Sequence, residues 1–252
     1  MLAYDSYGDD APGTPILIVH GLFGSARNWG VIAKRLSKSR RVVAVDMRNH
    51  GDSPRAPRHS YPDMASDLAE VIDHIGGEAL VIGHSMGGKA AMVLALTRPE
   101  LVRALIVADI APVAYEHTQM HLVEAMQALD LATLETRSDA DAALARAVDT
   151  KGVRDFLLQS LEVRERRWKL NLDVLGAEMD KILSFPEVTG TYDGPTLFLA
   201  GAESDYVLPE HRDRIKALFP NAKQAKIPGA GHWLHAEKPR EFEAAARAFF
   251  TL

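Results

Sequence analysis

Short apolar runs alternate with longer amphipathic segments along most of the chain, and this alternation restricts the possible folds more than any other feature. The run Ile16-Leu17-Ile18-Val19 contains no polar residue, as is typical of strands that helices cover on both faces. The predicted strands are Ile16–His20, Arg41–Asp46, Ala79–Gly83, Ala104–Ala108, Thr196–Ala200 and Lys223–Ile227. The predicted helices cover about 26–38, 61–75, 87–97, 209–218 and 237–250. The sequence therefore predicts an α/β fold with a mainly parallel sheet flanked by helices.

One region interrupts the alternation. Between Pro112 and Asp193 the sequence has no good strand, but it has helix-like stretches such as HTQMHLVEAMQAL and SDADAALARAV. We expect residues 112–193 to form a helical cap subdomain inserted after the strand that ends near Asp109. Residues 1–111 and 194–252 would then form the core of a single domain, which suits a chain of 252 residues.

Composition excludes several classes of function. A formal net charge of −5 with scattered lysines and arginines gives no basic surface for nucleic acid. The absence of cysteine removes disulfides, thiolate metal sites and a cysteine nucleophile. No run of about 18 apolar residues predicts stable membrane insertion, and the opening MLAYDSYGDD lacks the features of a signal peptide. We expect a cytoplasmic enzyme; nothing in the sequence indicates its oligomeric state, and a monomer is compatible with it.

A serine stands between glycines where a predicted strand becomes a predicted helix. Gly83-His84-Ser85-Met86-Gly87 fits the pattern G-x-S-x-G in the strand–turn–helix context that the motif requires. Side chains two positions before and after the serine would collide in such a tight turn. The turn lifts the serine hydroxyl above the sheet and directs the helix N-terminus at any oxygen that gains negative charge. The sequence therefore predicts Ser85 as a nucleophile.

A serine hydroxyl needs a base, and the chain offers ten histidines. We predict His232 as the base because it follows the last predicted strand in the glycine-containing loop PGAGHWLHAEKP. His235 is a weaker alternative because it is expected to begin the next helix. His84 adjoins the serine and is expected in the pocket wall, and His20 is expected to bond backbone at the end of its strand.

A base of this kind usually needs a carboxylate partner, and three aspartates compete for that role. Asp109 ends a buried apolar strand, where an unpaired carboxylate would be costly. Asp205 lies in a loop just after the next strand of the core, at the correct end of the sheet. Asp173 lies within the predicted cap, which is a poor anchor for a rigid contact.

Backbone amides near the first predicted strand are expected to stabilise charge on the substrate oxygen. The glycines of His20-Gly21-Leu22-Phe23-Gly24 allow amide groups to point into the site. We expect the Met86 amide, together with the amide of Leu22 or of Phe23, to form an oxyanion hole. One such donor is typically worth roughly 3 kcal/mol.

Five motifs in order along the chain resemble those of the α/β-hydrolase superfamily. They are HGLFGS (20–25), DMRNHGDS (46–53), GHSMGGKA (83–90), DIAPV (109–113) and GAGHWLHAEKP (229–239). Their combination is similar to that of the YbfF-type branch of small bacterial acyl esterases and their mitochondrial relatives. The resemblance implies a helical cap, hydrolysis of carboxylic esters or acyl thioesters such as those of coenzyme A, and no metal or organic cofactor.

The same resemblance bears on individual residues. Most of the superfamily carries the acid in a pattern like Gly-x-x-Asp, whereas this chain has Gly201-Ala202-Glu203-Ser204 with Asp205 one place later. The YbfF-type branch also has a serine there and is thought to use the aspartate of DIAP. This favours Asp109 as the acid, with Asp205 as the alternative, and Ser204 in an assisting role. The expected substrate pocket includes His84, Phe23, Trp233 and Ser204.

Other functions of the same fold stay open at this stage. Cofactor-free haloperoxidases and carbon–carbon bond hydrolases or lyases keep the same three residue types, and the latter typically add pocket arginines, for which Arg48 is a candidate. A non-catalytic ligand-binding receptor is a further alternative. Lys89 lies one turn from Ser85 and is expected to form at most a salt bridge. Met120, Leu122 and Met126 would either line an acyl pocket or pack the cap onto the sheet.

Overall fold

The computed structural model describes all of residues 1–252 and contains one seven-stranded sheet. Its strands are β1 (Tyr4–Tyr7), β2 (Ile16–Val19), β3 (Val42–Val45), β4 (Ala79–His84), β5 (Val102–Ala108), β8 (Thr196–Gly201) and β9 (Lys223–Ile227). The spatial order is β1-β3-β2-β4-β5-β8-β9. Strand β1 is antiparallel to β3 and all other neighbours are parallel. The carboxyl ends of six strands therefore meet along one edge of the sheet.

Helices cover both faces of the sheet, as the fully apolar strands require. They are α1 (Gly30–Leu36), α2 (Tyr61–Ile75), α3 (Met86–Thr97), α9 (Arg212–Leu218), α10 (Leu234–Glu237) and α11 (Pro239–Phe250). Successive residues of β2 point to opposite faces: Leu17 joins the apolar cluster that contains α2 and α3, and Ile18 joins the cluster that contains α1 and α11. No helix combines the length and the apolar character that crossing a membrane requires.

Residues 112–193 lie between β5 and β8 and add no strand to the main sheet. They hold the helices α4 (Met120–Gln127), α5 (Arg137–Leu144), α6 (Lys151–Leu157), α7 (Leu172–Ala177) and α8 (Met179–Leu183). The expectation of an all-helical segment is wrong in one detail, because β6 (Leu161–Glu162) and β7 (Arg167–Trp168) pair as a short antiparallel hairpin. One apolar cluster runs without interruption from this segment into the core beneath it.

The six predicted strands all occur, with ends within two residues of the prediction. Strand β1 escaped prediction because its sequence YDSY has no apolar alternation and it lies at the edge of the sheet. The helix expected at about 237–250 occurs as α11, which begins at Pro239, and the separate short helix α10 precedes it.

Candidate active site

Ser85 occupies a strained turn at the carboxyl end of β4. Its φ and ψ are 52° and −121°, in a region that side chains rarely adopt, and α3 begins at the next residue. A Cβ atom on Gly83 would lie 2.5 Å from the carbonyl oxygen of Gly87, and one on Gly87 would lie 2.4 Å from that of His20. Gly87 is therefore required by the close approach of the end of β2, and not only by crowding within the turn.

His232 joins the serine to a carboxylate. It lies in the loop between β9 and α10, with its Nε2 atom 3.1 Å from Ser85 Oγ and its Nδ1 atom 2.7 Å from Asp109 Oδ2. An ionised carboxylate accepts only, so Nδ1 carries the ring proton and Nε2 is left to accept from the serine hydroxyl. The three side chains thus form one hydrogen-bonded row across the carboxyl ends of β4 and β5.

Asp109 is completely buried and fully hydrogen-bonded. Its Oδ1 atom accepts from the Gly201 amide at 2.9 Å, and its Oδ2 atom accepts from Ser204 Oγ at 2.5 Å in addition to His232. Its φ of 52° turns the chain sharply at the end of β5. The other two aspartates are elsewhere: Asp205 is exposed and makes no contact with His232, and Asp173 accepts from Gln127.

The remaining histidines near the serine are neutral by burial. His84 donates from Nε2 to the carbonyl oxygen of His232 at 2.9 Å, and desolvation lowers the pKa of His84 well below its usual value. His235 stacks flat on Trp29, with ring centroids 4.0 Å apart, and burial lowers the pKa of His235 to about 3. His20 bonds backbone at Gly21 and Met47, as expected from its position. None of the three contacts Ser85 Oγ through a hydrogen bond.

The two alternative amide donors after β2 have different partners. The Phe23 amide donates to His50 Nε2 at 3.1 Å, and burial lowers the pKa of His50 to about 3, so that this ring stays neutral and accepts. The Leu22 amide has no acceptor within the protein. Met86 is the first residue of α3. The first hydrogen bond of that helix runs from Lys89 N to Ser85 O, so the Met86 amide comes before the helix's own hydrogen bonds begin. Phe23 is therefore unsuited to the oxyanion role.

A cavity of about 560 Å³ opens beside Ser85. His84, Phe23 and Trp233 line it, and Ser204 does not, because its hydroxyl is directed at Asp109 instead. Residues of the 112–193 segment form one side of it, namely Tyr115, His117, Gln119, His121, Leu122, Ala147, Val148, Asp149, Thr150, Val153, Phe156, Ile182 and Leu183. Met120 and Met126 lie outside it; Met126 is buried in the apolar core.

Lys89 lines the cavity without the salt bridge expected of it. Its side chain is only 1% exposed, and Nζ donates to the carbonyl oxygens of Leu183 at 2.8 Å and Ser184 at 2.7 Å. The Nζ atom also lies 4.7 Å from the ring centroid of Tyr115. Because desolvation opposes the charge, burial lowers the pKa of Lys89 to about 7.

No arginine lines the cavity. Arg48, the candidate for binding a substrate carboxylate, forms a two-pronged ion pair with Asp67 on α2 instead. No three histidine, aspartate or glutamate side chains converge in the arrangement of a metal site.

Sequence reasoning missed Tyr206, whose ring stacks on His232 at a centroid separation of 3.9 Å. A single tyrosine in a loop carries no pattern that could have revealed this contact.

Comparison with known proteins agrees with this architecture. Residues 14–239 match the family model described as alpha/beta hydrolase fold. The chain belongs to the α/β-hydrolase family. This α/β hydrolase is 43% identical to the sn-1-specific diacylglycerol lipase ABHD11 of Mus musculus, over 99% of this chain and 85% of the mouse protein. It is 41% identical to esterase YbfF of Escherichia coli strain K12, over 94% of this chain and 93% of that protein.

A solved structure is similar over nearly the whole chain. The structure titled marine microorganism esterase superposes with a TM-score of 0.94 at 39% identity, covering 98% of each chain. These relatives are named as esterases or a lipase, and their similarity to this chain covers both the core and residues 112–193. This α/β hydrolase is accordingly an enzyme of the esterase and lipase kind.

Proposed function

We propose that this enzyme hydrolyses carboxylic esters or acyl thioesters through an acyl-enzyme on Ser85, with His232 as the base and Asp109 as the acid. The observation that carries the proposal is the position of His232 between its two partners, 3.1 Å from Ser85 Oγ and 2.7 Å from Asp109 Oδ2. Both distances lie within hydrogen-bond reach, as proton transfer from a nucleophile to its base requires.

The proposed reaction has two halves. His232 Nε2 takes the proton of Ser85 Oγ as the oxygen attacks the substrate carbonyl carbon, and Asp109 stabilises the imidazolium that forms. The amides of Leu22 and Met86 donate to the resulting oxyanion. His232 then returns the proton to the leaving alcohol or thiol. In the second half the same nitrogen deprotonates water, which attacks the acyl-enzyme and releases the acid and Ser85.

The cavity favours substrates with an apolar acyl group. Its volume of about 560 Å³ lies within the range of small-molecule sites, and more than half of its lining residues are hydrophobic. Because residues 112–193 supply one wall, we infer that this segment acts as a cap subdomain that encloses the acyl chain. The relative from Mus musculus is named a diacylglycerol lipase, which supports an acyl substrate of this kind.

The lining also bears on the rival reactions of the fold. The carbon–carbon bond enzymes that resemble this chain typically carry pocket arginines, and the cavity has none. The ion pair of Arg48 with Asp67 leaves that side chain without a role toward substrate. The mainly apolar lining around Ser85 therefore supports an acyl ester or thioester over a substrate with several carboxylates.

The test is turnover of p-nitrophenyl esters from acetate to palmitate, beside thioesters of the same acyl groups, by the wild type, Ser85→Ala and Ser138→Ala. Ser138 is exposed on α5 and serves as the matched control. We expect Ser85→Ala to lose turnover and labelling by a phosphonate probe, and Ser138→Ala to retain both. Continued turnover by folded Ser85→Ala would overturn the nucleophile, and wild-type inactivity on every chain length would overturn the reaction.

A further inference from the structure

The imidazole of His232 has an aromatic ring lying flat against it. The Tyr206 ring is 3.9 Å from it between centroids and 20° from parallel. A ring in this arrangement restricts the imidazole to its own plane, which is the plane that contains the bonds to Ser85 and Asp109. An aromatic face also attracts a cation, so that the stack favours imidazolium over neutral imidazole.

The tyrosine is itself held at both ends by the segment that leads from β5 into α4. Tyr115 Oη donates to the backbone carbonyl oxygen of Tyr206 at 2.6 Å and accepts from the Ala111 amide at 2.9 Å. At the other end, His117 Nε2 lies 2.8 Å from Tyr206 Oη. Burial raises the pKa of Tyr206 to about 12, so its hydroxyl keeps its proton at neutral pH.

The same residue is linked to the acid. The Tyr206 amide donates to Ser204 Oγ at 3.3 Å, and Ser204 Oγ donates to Asp109 Oδ2. The loop after β8 therefore contacts the carboxylate with one residue and the imidazole with another. A shift of this loop would change both contacts of the row together.

We propose that Tyr206 is a positioning residue for the base, which fixes the imidazole plane and stabilises its charged form, and that His117 holds the tyrosine in place. The inference rests on the proposed function, since it needs His232 to act as the base. It adds that residues just before α4, on the side of the proposed cap, take part in aligning the base through Tyr206.

Few other groups lie near the imidazole. The Asp109 carboxylate and the Ser85 hydroxyl bond it, and the neutral ring of His84 and the tilted ring of Trp233 lie 4.8 Å and 6.2 Å away between centroids. The buried ring of His235 is also close enough to His232 for the two charges to interact, which helps to lower the pKa of His235. Asp109 is the one charged side chain in hydrogen-bond contact with His232. Removal of the Tyr206 ring therefore changes a single interaction of the base while its hydrogen bonds stay in place.

The experiment measures kcat and KM against pH for Tyr206→Leu, Tyr206→Phe, His117→Ala and the double variant Tyr206→Phe/His117→Ala, on one p-nitrophenyl ester. Tyr206→Leu should lower kcat about 3- to 30-fold with little change in KM. The midpoint of the acid limb of kcat/KM should move about half a unit to one and a half units toward lower pH, because imidazolium loses its aromatic partner. A residue that only packs would lower the folded fraction and leave this midpoint in place.

Tyr206→Phe isolates the hydroxyl contact, whereas His117→Ala removes that hydrogen bond together with a ring that lies edge-on to Tyr206, 5.0 Å away between centroids. Because both variants lose the same hydrogen bond, Tyr206→Phe should lower kcat by about 3-fold or less, and the double variant should be no worse than His117→Ala alone. Both should keep the wild-type midpoint, since the stacked ring remains. Additive losses would overturn the role of His117.

A His232→Gln control separates the two proposals. If His232→Gln keeps full activity, the proposed function fails; if it abolishes activity while Tyr206→Leu keeps the wild-type kcat and midpoint, only the present inference fails. Should the leucine variant not fold, Tyr206→Met fills a similar space without a ring and has the same expected profile.

Discussion

At the scale of single residues, the buried carboxylate at the end of β5 is the most consequential position. Asp109→Asn should lower kcat on the order of 10³–10⁴, by analogy with the serine-protease acid, because an amide can hold the wrong tautomer of His232. Asp205→Asn is the matched control, since Asp205 is exposed and does not contact the base. Ester turnover and thermal unfolding of both variants check the prediction; a comparable loss in Asp205→Asn would reverse the assignment.

A second residue-scale prediction concerns the glycine after the serine. In Gly87→Ala the new Cβ would lie 2.4 Å from the carbonyl oxygen of His20 and 2.6 Å from that of Val19. Both are backbone atoms at the end of strand β2. Since neither oxygen can rotate away, we expect a loss of about 1–3 kcal/mol in the free energy of unfolding, as for other overpacked sites. Phosphonate labelling of Ser85 should slow as well, because the Ser85 turn must move.

Gly152→Ala is the control for that variant. A Cβ there would meet nothing within 4 Å, and the residue lies in α6, where alanine is the better helix former by roughly 0.5–1 kcal/mol. The control should therefore be neutral or slightly stabilised in urea unfolding. Equal destabilisation of the two variants would show that close approach to β2 is not the reason for Gly87.

How far sequence could predict the site depends on where each partner lies. Ser85 carries a local pattern, and the strand–turn–helix context makes it readable. The choice between the amides of Leu22 and Phe23 was not readable, because it depends on His50, which is 27 positions from Phe23 along the chain. The burial of Lys89 against carbonyl oxygens of residues 183–184 was equally hidden, since backbone acceptors leave no trace in side-chain chemistry.

At the scale of elements, Lys89 connects α3 to the end of α8. Lys89→Met keeps the apolar stem and removes both hydrogen bonds to the carbonyl oxygens of Leu183 and Ser184. We expect faster amide hydrogen exchange in peptides that cover α8 and the residues after it, since local opening no longer breaks those bonds. Lys181→Met, on the same helix, is the control, because its exposed pair with Glu178 contributes little.

Exchange that rises equally in both lysine variants would contradict this account of Lys89.

The contacts of Lys89 also explain why its partner could not be predicted from sequence. A lysine on an otherwise apolar helix was expected to form a salt bridge with a carboxylate. Instead it binds carbonyl oxygens at the end of α8, which have no partner within their own helix. Strand β1 and the hairpin of β6 and β7 were missed for a related reason: short strands acquire their pairing from partners, not from their own alternation.

At the scale of the whole molecule, five buried histidines link stability to acid. Burial lowers the pKa of His20 to about 4, of His50 to about 3, of His59 to about 2 and of His235 to about 3, and it also lowers the pKa of His84. Below an unfolded-state value of about 6.5 the unfolded chain binds protons that the folded chain does not. Stability is therefore complete above pH 6.5 and falls as the pH drops toward the folded-state values.

Each of these histidines should lower the free energy of unfolding by about 1 kcal/mol between pH 6.5 and 5.5. Urea unfolding across this range measures the slope. His235→Phe should reduce it by one histidine's share, because phenylalanine can keep the stack on Trp29. His74→Gln, at an exposed position, is the matched control. A flat profile in the wild type would mean that the buried rings take up protons without unfolding.

The three donors to the Asp109 carboxylate all come from later in the chain: the Gly201 amide, the Ser204 hydroxyl and the His232 ring. During folding, the carboxylate therefore gains none of these donors until β8 and the loop after β9 have docked beside β5. Parallel pairing of distant segments is slow to form. Recovery of esterase activity in a refolding experiment should therefore follow the docking of these segments, because the row needs residues from both sides of the 112–193 segment.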